Sequence, residues 1–290
     1  MQKKLTPYLL LLPQIVLGGT FILGLGTGIL QSLGINPVFG LTTPTLKYYI
    51  EVLTRPAMFA SVKYSLNIAF VSAFLATVLG TLICMLMVNR KRTGGAMVRV
   101  VQLPIIVPHV VVALFVVNIF SQNGILARVC AALGMISDQQ QFPMFIYDQY
   151  GIGVILAYLW KELPFIVYFV LALMANINGS LGEAAVNLGA SRWKSFTKVT
   201  LPLCMNTILS GFMIIFVFAL GAYELPFLLG ATTPKAMPIL AYQKYSSPEL
   251  LDRPYAMAIN GIIVVISLIV AVAYYILIRK ASRNLGDHKE

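Results

Sequence analysis

A chain of 290 residues that is 59% hydrophobic and 11% charged, with a mean hydropathy of +0.84, carries too few charges to clothe a soluble domain of that length. Its net charge of +11 invites a nucleic-acid partner, but the lysines and arginines gather in loops between apolar runs, where the side of a membrane governs their placement. The bilayer is therefore the solvent, and nucleic acid is excluded as a partner.

A hydrocarbon core of ~30 Å needs about 20 apolar residues per helix. Six runs of that kind occur, at 8–30, 60–88, 98–120, 151–175, 203–230 and 256–278, so the chain is predicted to be an all-α membrane protein of six transmembrane helices. Sorting the basic residues by loop orients it. Lys3 and Lys4, the 89–99 loop, the 176–200 loop and the end of the chain hold thirteen lysines and arginines, against six in the other three loops. Positive residues stay on the cytoplasmic side, which places both termini and the 176–200 loop there. The first run follows Lys3-Lys4 and continues past Ile29 without a small-residue cleavage pattern, and it reads as a retained helix, not a signal peptide.

Between the first two spans, Pro37, Gly40, Pro44 and Pro56 forbid one continuous helix. Leu46, Tyr49, Ile50 and Leu53 fall at helical spacing and predict a short amphipathic surface helix over 45–53. The third span opens with Pro104 and Pro108, four apart; two missing amide donors predict a kink with free carbonyls beside it. Pro164 and Pro226 mark further kinks in the fourth and fifth spans. The external segments 121–149 and 231–254 read as turns with one short helix each. Cys84, Cys130 and Cys204 are too widely spaced for a metal motif or an obvious disulfide and are assigned to packing.

The 176–202 loop is the most informative segment. Asn176 to Gly179 reads as a helix stop, and Ser180-Leu-Gly-Glu183 as a capping box that starts a new helix through Ala184, Ala185 and Leu188 to Gly189. Ser191 is placed to cap a second helix carrying Arg192, Trp193, Lys194 and Phe196, and Leu201-Pro202 returns the chain to the membrane. Glu183, the glycine six positions on, Val199 and Leu201-Pro202 together resemble the Glu-Ala-Ala motif of the permeases of binding-protein-dependent ABC importers. Ser65-Leu-Asn67 and Trp160-Lys-x-x-Pro164-Phe165 extend the similarity over most of the chain and look most like the spermidine/putrescine group, which has iron(III), thiamine, sulfate and phosphonate relatives.

The resemblance implies a type I importer permease fold in a bacterial inner membrane. It implies a first helix and external segment (1–59), a core of five helices (60–280) and a cytoplasmic tail (281–290). It further implies a second, homologous permease chain of different sequence, two ATP-binding subunits that hold ATP and magnesium, and an extracytoplasmic solute-binding protein. Within the loop, Glu183, Ala184, Ala185 and Gly189 match the motif and are expected to form a coupling helix against an ATPase subunit. Arg192, Trp193 and Phe196 are inferred from their chemistry as further groove contacts.

An ionisable side chain within a span faces a cavity or a partner by default. His109, Lys161, Glu162 and Glu224 are such residues. Lys161 and Glu162 point about 100° apart on a helix and cannot simply pair with each other. Glu224, beside Tyr223, would suit an organic cation at the outer end of the path and makes a polyamine the first guess for the solute; the alternative is a structural carboxylate paired with Lys161. His109 reads as packing at the proline kink. Asn67, Asn118, Asn206 and Asn260 read as interhelical hydrogen-bond formers. No Gly-x4-Gly-Lys-(Ser/Thr) occurs, so ATP is expected on another chain, and no residue set suggests catalysis or a metal. The competing class is an ion-coupled secondary carrier, which would give no reason for an aromatic-bearing loop at 180–200.

Overall fold

The computed structural model describes residues 2–286, and the side chains of 10–276, 278 and 279 within them. Lys3, Lys4, Lys280, Arg283 and Lys289, used above for orientation, lie outside the described side chains, as does the expected tail 281–290. Thirteen α-helices account for about three-quarters of the described chain. They are α1 (Gln2–Ser32), α2 (Lys47–Leu53), α3 (Pro56–Asn89), α4 (Ala96–Ile106), α5 (His109–Phe120), α6 (Ile125–Ala132) and α7 (Ile152–Ile177). After these come α8 (Glu183–Asn187), α9 (Arg192–Ser195), α10 (Leu201–Gly221), α11 (Glu224–Leu229), α12 (Met237–Tyr245) and α13 (Arg253–Gly286). Six stretches are long and apolar enough to cross a bilayer: Leu10–Ser32, Pro56–Asn89, His109–Ala132, Ile152–Asn187, Arg192–Gly221 and Leu250–Ile276.

The third crossing departs from expectation. A single kinked span over 98–120 was predicted, yet α4 stops at Ile106 and α5 starts at His109. Pro104 sits inside α4 without ending it. The break falls at Val107, whose ψ of 128° is the extended conformation imposed on a residue before proline, here Pro108. Pro164 is likewise absorbed within an unbroken α7. Pro226 does not break the fifth span either. The chain turns extended at Ala222, and Pro226 lies in the first turn of α11, where its missing donor would be unpaired anyway.

One compact unit comprises residues 60–236 and 266–290. Its centre is α7, approached closely from two sides. A Cβ placed on Gly80 of α3 would lie 2.8 Å from Ile166 Cγ2, and one on Gly211 of α10 would lie 2.9 Å from Ile166 Cδ1. Two glycines thus let two helices close on one fully buried isoleucine, the small-residue packing that membranes favour because lipid supplies no hydrophobic drive between helices. Asp148 starts α7 by accepting from the amides of Tyr150 and Ile152 at 2.8 and 2.7 Å.

The other unit comprises residues 1–59 and 237–265. The surface helix α2 is present, but its inward face is Tyr48 and Val52. The apolar residues at helical spacing, Leu46, Ile50 and Leu53, are exposed, as on a surface helix. Tyr48 meets Tyr255 edge-on with centroids 4.9 Å apart, the Tyr255 hydroxyl donates to Glu51, and Tyr49 Oη donates to Ser32 Oγ at 2.9 Å. Aromatic contacts with polar tips, not an aliphatic stripe, fix this helix. The most apolar window of α1 is unburied.

Candidate coupling loop and translocation path

The 176–202 loop is more continuously helical than its sequence suggests. No helix stop forms at Gly179 and no capping box at Ser180–Glu183. Instead α7 widens into a π-helical turn over Asn178–Gly182 and passes directly into α8. The Ser180 hydroxyl turns back to the carbonyl of Asn176 at 3.1 Å, so it has no part in capping Glu183. The return path behaves alike, with α9 running through a π-helical turn at Phe196–Thr200 into α10. The reversal itself sits where the sequence put it. Gly189 has φ +93°, a conformation costly for any residue with a Cβ, and Ser191 caps α9 by accepting from the Lys194 amide at 3.2 Å.

What this reversal presents differs in part from expectation. Leu188 is 90% and Trp193 59% exposed, and Ala184 is exposed, so these form the protruding surface. Phe196 is only 4% exposed; it packs inward with its ring 6.1 Å from that of Trp193 and is not a groove contact. Arg192 is exposed, yet its guanidinium donates to the carbonyl of Asn89 at the end of α3 at 2.9 Å. Glu183 meets Lys91 Nζ at 3.1 Å, and Ser195 Oγ donates to Gly182 O at 2.8 Å, tying the two arms together.

The ionisable residues of the spans separate into distinct roles. Lys161 Nζ donates to the carbonyls of Pro104, Ile105 and Val107 at 2.9, 3.2 and 2.7 Å. A cation is therefore seated on the C-terminus of α4, where backbone carbonyls lack intrahelical partners and the helix dipole favours positive charge. The free carbonyls expected beside the prolines exist, and Lys161 occupies them. Glu162 diverges as predicted. It is 3% exposed, faces Ser72 of α3, and neither of its carboxyl oxygens has a hydrogen-bond partner among the described residues.

Glu224 pairs with neither Lys161 nor open solvent alone. Its Oε2 lies 2.5 Å from His109 Nδ1, so the histidine read as packing is the carboxylate's partner. The two helix breaks, at Pro108 and at Ala222, bring these side chains together from the starts of α5 and α11. They line a pocket of about 350 Å³ with Tyr158, Phe218 and Tyr223. Glu162 and Lys161 are not among its lining residues. Among the asparagines, Asn67 bonds the carbonyl of Tyr150 at 2.8 Å, whereas Asn118 bonds Leu114 of its own helix.

Six apolar spans, the third and fifth broken where His109 and Glu224 meet and the fourth and fifth joined by one reversed loop, make an integral membrane protein. The chain belongs to the family of binding-protein-dependent transport system inner membrane components, whose model matches residues 72–283. Among its relatives, the sulfate transport system permease protein CysT of Escherichia coli (strain K12) is 26% identical over 241 residues, 83% of each chain. A probable sulfate transport system permease protein of Marchantia polymorpha is 26% identical over 270 residues, 91% of this chain and 86% of that one. Among solved structures, a bacterial ABC transporter that imports the acidic polysaccharide alginate matches with a TM-score of 0.75 at 22% identity, covering 96% of both chains. The inward-facing MetNI methionine ABC transporter matches at 0.55 and 19% identity, over 78% of this chain and 98% of that one. These structures share the fold. The relatives' names carry sulfate, where the sequence motifs had suggested the spermidine/putrescine group.

Proposed function

We propose that this chain is one of two permease subunits of an ATP-driven importer, with ATP and magnesium held by two separate ATPase subunits and solute delivered by an extracytoplasmic binding protein. The observation that carries the reading is the Gly189 reversal, which thrusts Leu188 and Trp193 out of a loop whose arms are continuous with two spans. An apolar knob of this kind suits a groove on another protein and transmits force without a hinge. Alternating access follows: binding protein and ATP together favour an outward-open path between the two permeases, and hydrolysis resets it.

For the solute we infer sulfate or a similar oxyanion, supported by relatives of that name aligned over 83% of both chains. The polyamine reading rested on the resemblance and on Glu224, whose carboxylate the structure places against His109 Nδ1 at 2.5 Å. The test is uptake of radiolabelled sulfate, and of spermidine in parallel, by proteoliposomes of the complete complex. Gly189→Pro is expected to abolish ATP-driven uptake while leaving the complex assembled, because proline cannot adopt a φ of +93°. Normal uptake in that variant removes the coupling role, and spermidine uptake without sulfate uptake removes the oxyanion.

A further inference from the structure

The cytoplasmic end of α3 carries a residue that local energetics alone does not explain. The amide of Arg92 bonds the carbonyl of Met87 at 2.8 Å and that of Lys91 bonds Val88 at 3.0 Å, the double closure that ends a helix on a left-handed residue. Glycine is the usual occupant, since a Cβ there costs about 1 kcal/mol or more. Here the position is Lys91, at φ +51°. Its ammonium reaches Glu183, and two residues earlier Asn89 O accepts from Arg192. Between these two contacts lies a polar cleft of about 270 Å³ lined by Val88, Asn178, Gly182 and Asn187 among others.

We propose that Lys91 and Arg192 clamp the reversed loop to the end of α3, so that α3 is a third output of the coupling loop beside the two spans it joins. The inference rests on the coupling role argued above and adds the path along which the stroke leaves. Lys91 grips the arm before Gly189 and Arg192 the arm after it, so the loop cannot rock on α3 about either point alone. From Asn89 the helix runs unbroken for 34 residues back to Pro56. On its way it meets α7 at Gly80, where the backbones are too close to slide past Ile166. A push on Leu188 and Trp193 therefore moves α3 and α7 as one body. Both clamp contacts are solvent-exposed, and exposed ion pairs contribute little to folding. Their value lies in register, which makes them positioning contacts.

Lys91→Gly separates the two explanations for this residue. A merely structural Lys91 predicts a variant as stable as the parent or more so, with normal transport, because glycine relieves the left-handed strain. The clamp predicts the same stability with ATP-driven uptake by the full complex lowered about five-fold or more, the low end of an allosteric coupling. Lys91→Glu is expected to lower uptake similarly, whereas Lys91→Arg, which keeps a cation in reach of Glu183, retains most of it. Normal uptake in Lys91→Gly, or uptake in Lys91→Arg no better than in Lys91→Gly, overturns the clamp. Gly189→Pro, measured alongside, tells the two ideas apart: if it is inactive while Lys91→Gly is normal, the loop couples but not through α3.

Discussion

Lys161 shows how one side chain can reconcile a sequence with a solvent that forbids its backbone. The Val107–Pro108 break strips the last carbonyls of α4 of partners in a place where water is scarce, and each such group costs several kcal/mol in lipid. A single ammonium takes three of them. Lys161→Met, similar in length and devoid of donors, is expected to destabilise the chain by about 2–3 kcal/mol, the scale of lost hydrogen bonds to a charged group. A lower midpoint of thermal inactivation in detergent is the readout, and an unchanged midpoint would show that water serves the carbonyls equally well. That Lys161 needed a partner was legible from its depth in a span, and that carbonyls were free was legible from the prolines. Joining the two was not, because Lys161 and Pro104 are 57 positions apart. A still larger separation in sequence, 115 positions, hid His109 from Glu224.

At the scale of elements, spans were readable and their ends were not. Length and apolarity fix a crossing helix, so five of the predicted spans lie largely within the observed ones. Ends depend on choices between nearly equal local structures. Ser180 and Glu183 had the spacing of a cap, but the chain keeps its helix by widening one turn, and the serine bonds its own preceding turn. Gly80 and Gly211 were passed over because a glycine within an apolar run carries no periodicity, yet they decide how α3 and α10 pack. Gly211→Val would drive a branched side chain into Ile166. A cost of about 1–3 kcal/mol, typical of overpacking, is expected as reduced thermal stability of the purified subunit, relieved by Ile166→Ala in the double variant.

The whole molecule is a part that anticipates others. The most apolar window of α1 is unburied among the described residues, and the loop's most exposed large apolar residues are a leucine and a tryptophan. Purified alone in liposomes, the chain is expected to hydrolyse no ATP and to accumulate no sulfate under a proton or sodium gradient. Adding the proposed ATPase, second permease and binding protein should confer both activities; uptake by the lone chain on an ion gradient would instead assign it to the secondary carriers. The continuity of α7 with α8 also bears on how such a chain can diverge. A helix advances about 100° per residue, so one codon inserted between Ile152 and Asn187 would swing every later side chain away from its mate, parting Glu183 from Lys91 or Lys161 from its carbonyls according to where it fell. Along that stretch lineages are free to exchange letters but not to add or drop them, and length drift should be confined to the irregular segments outside the spans.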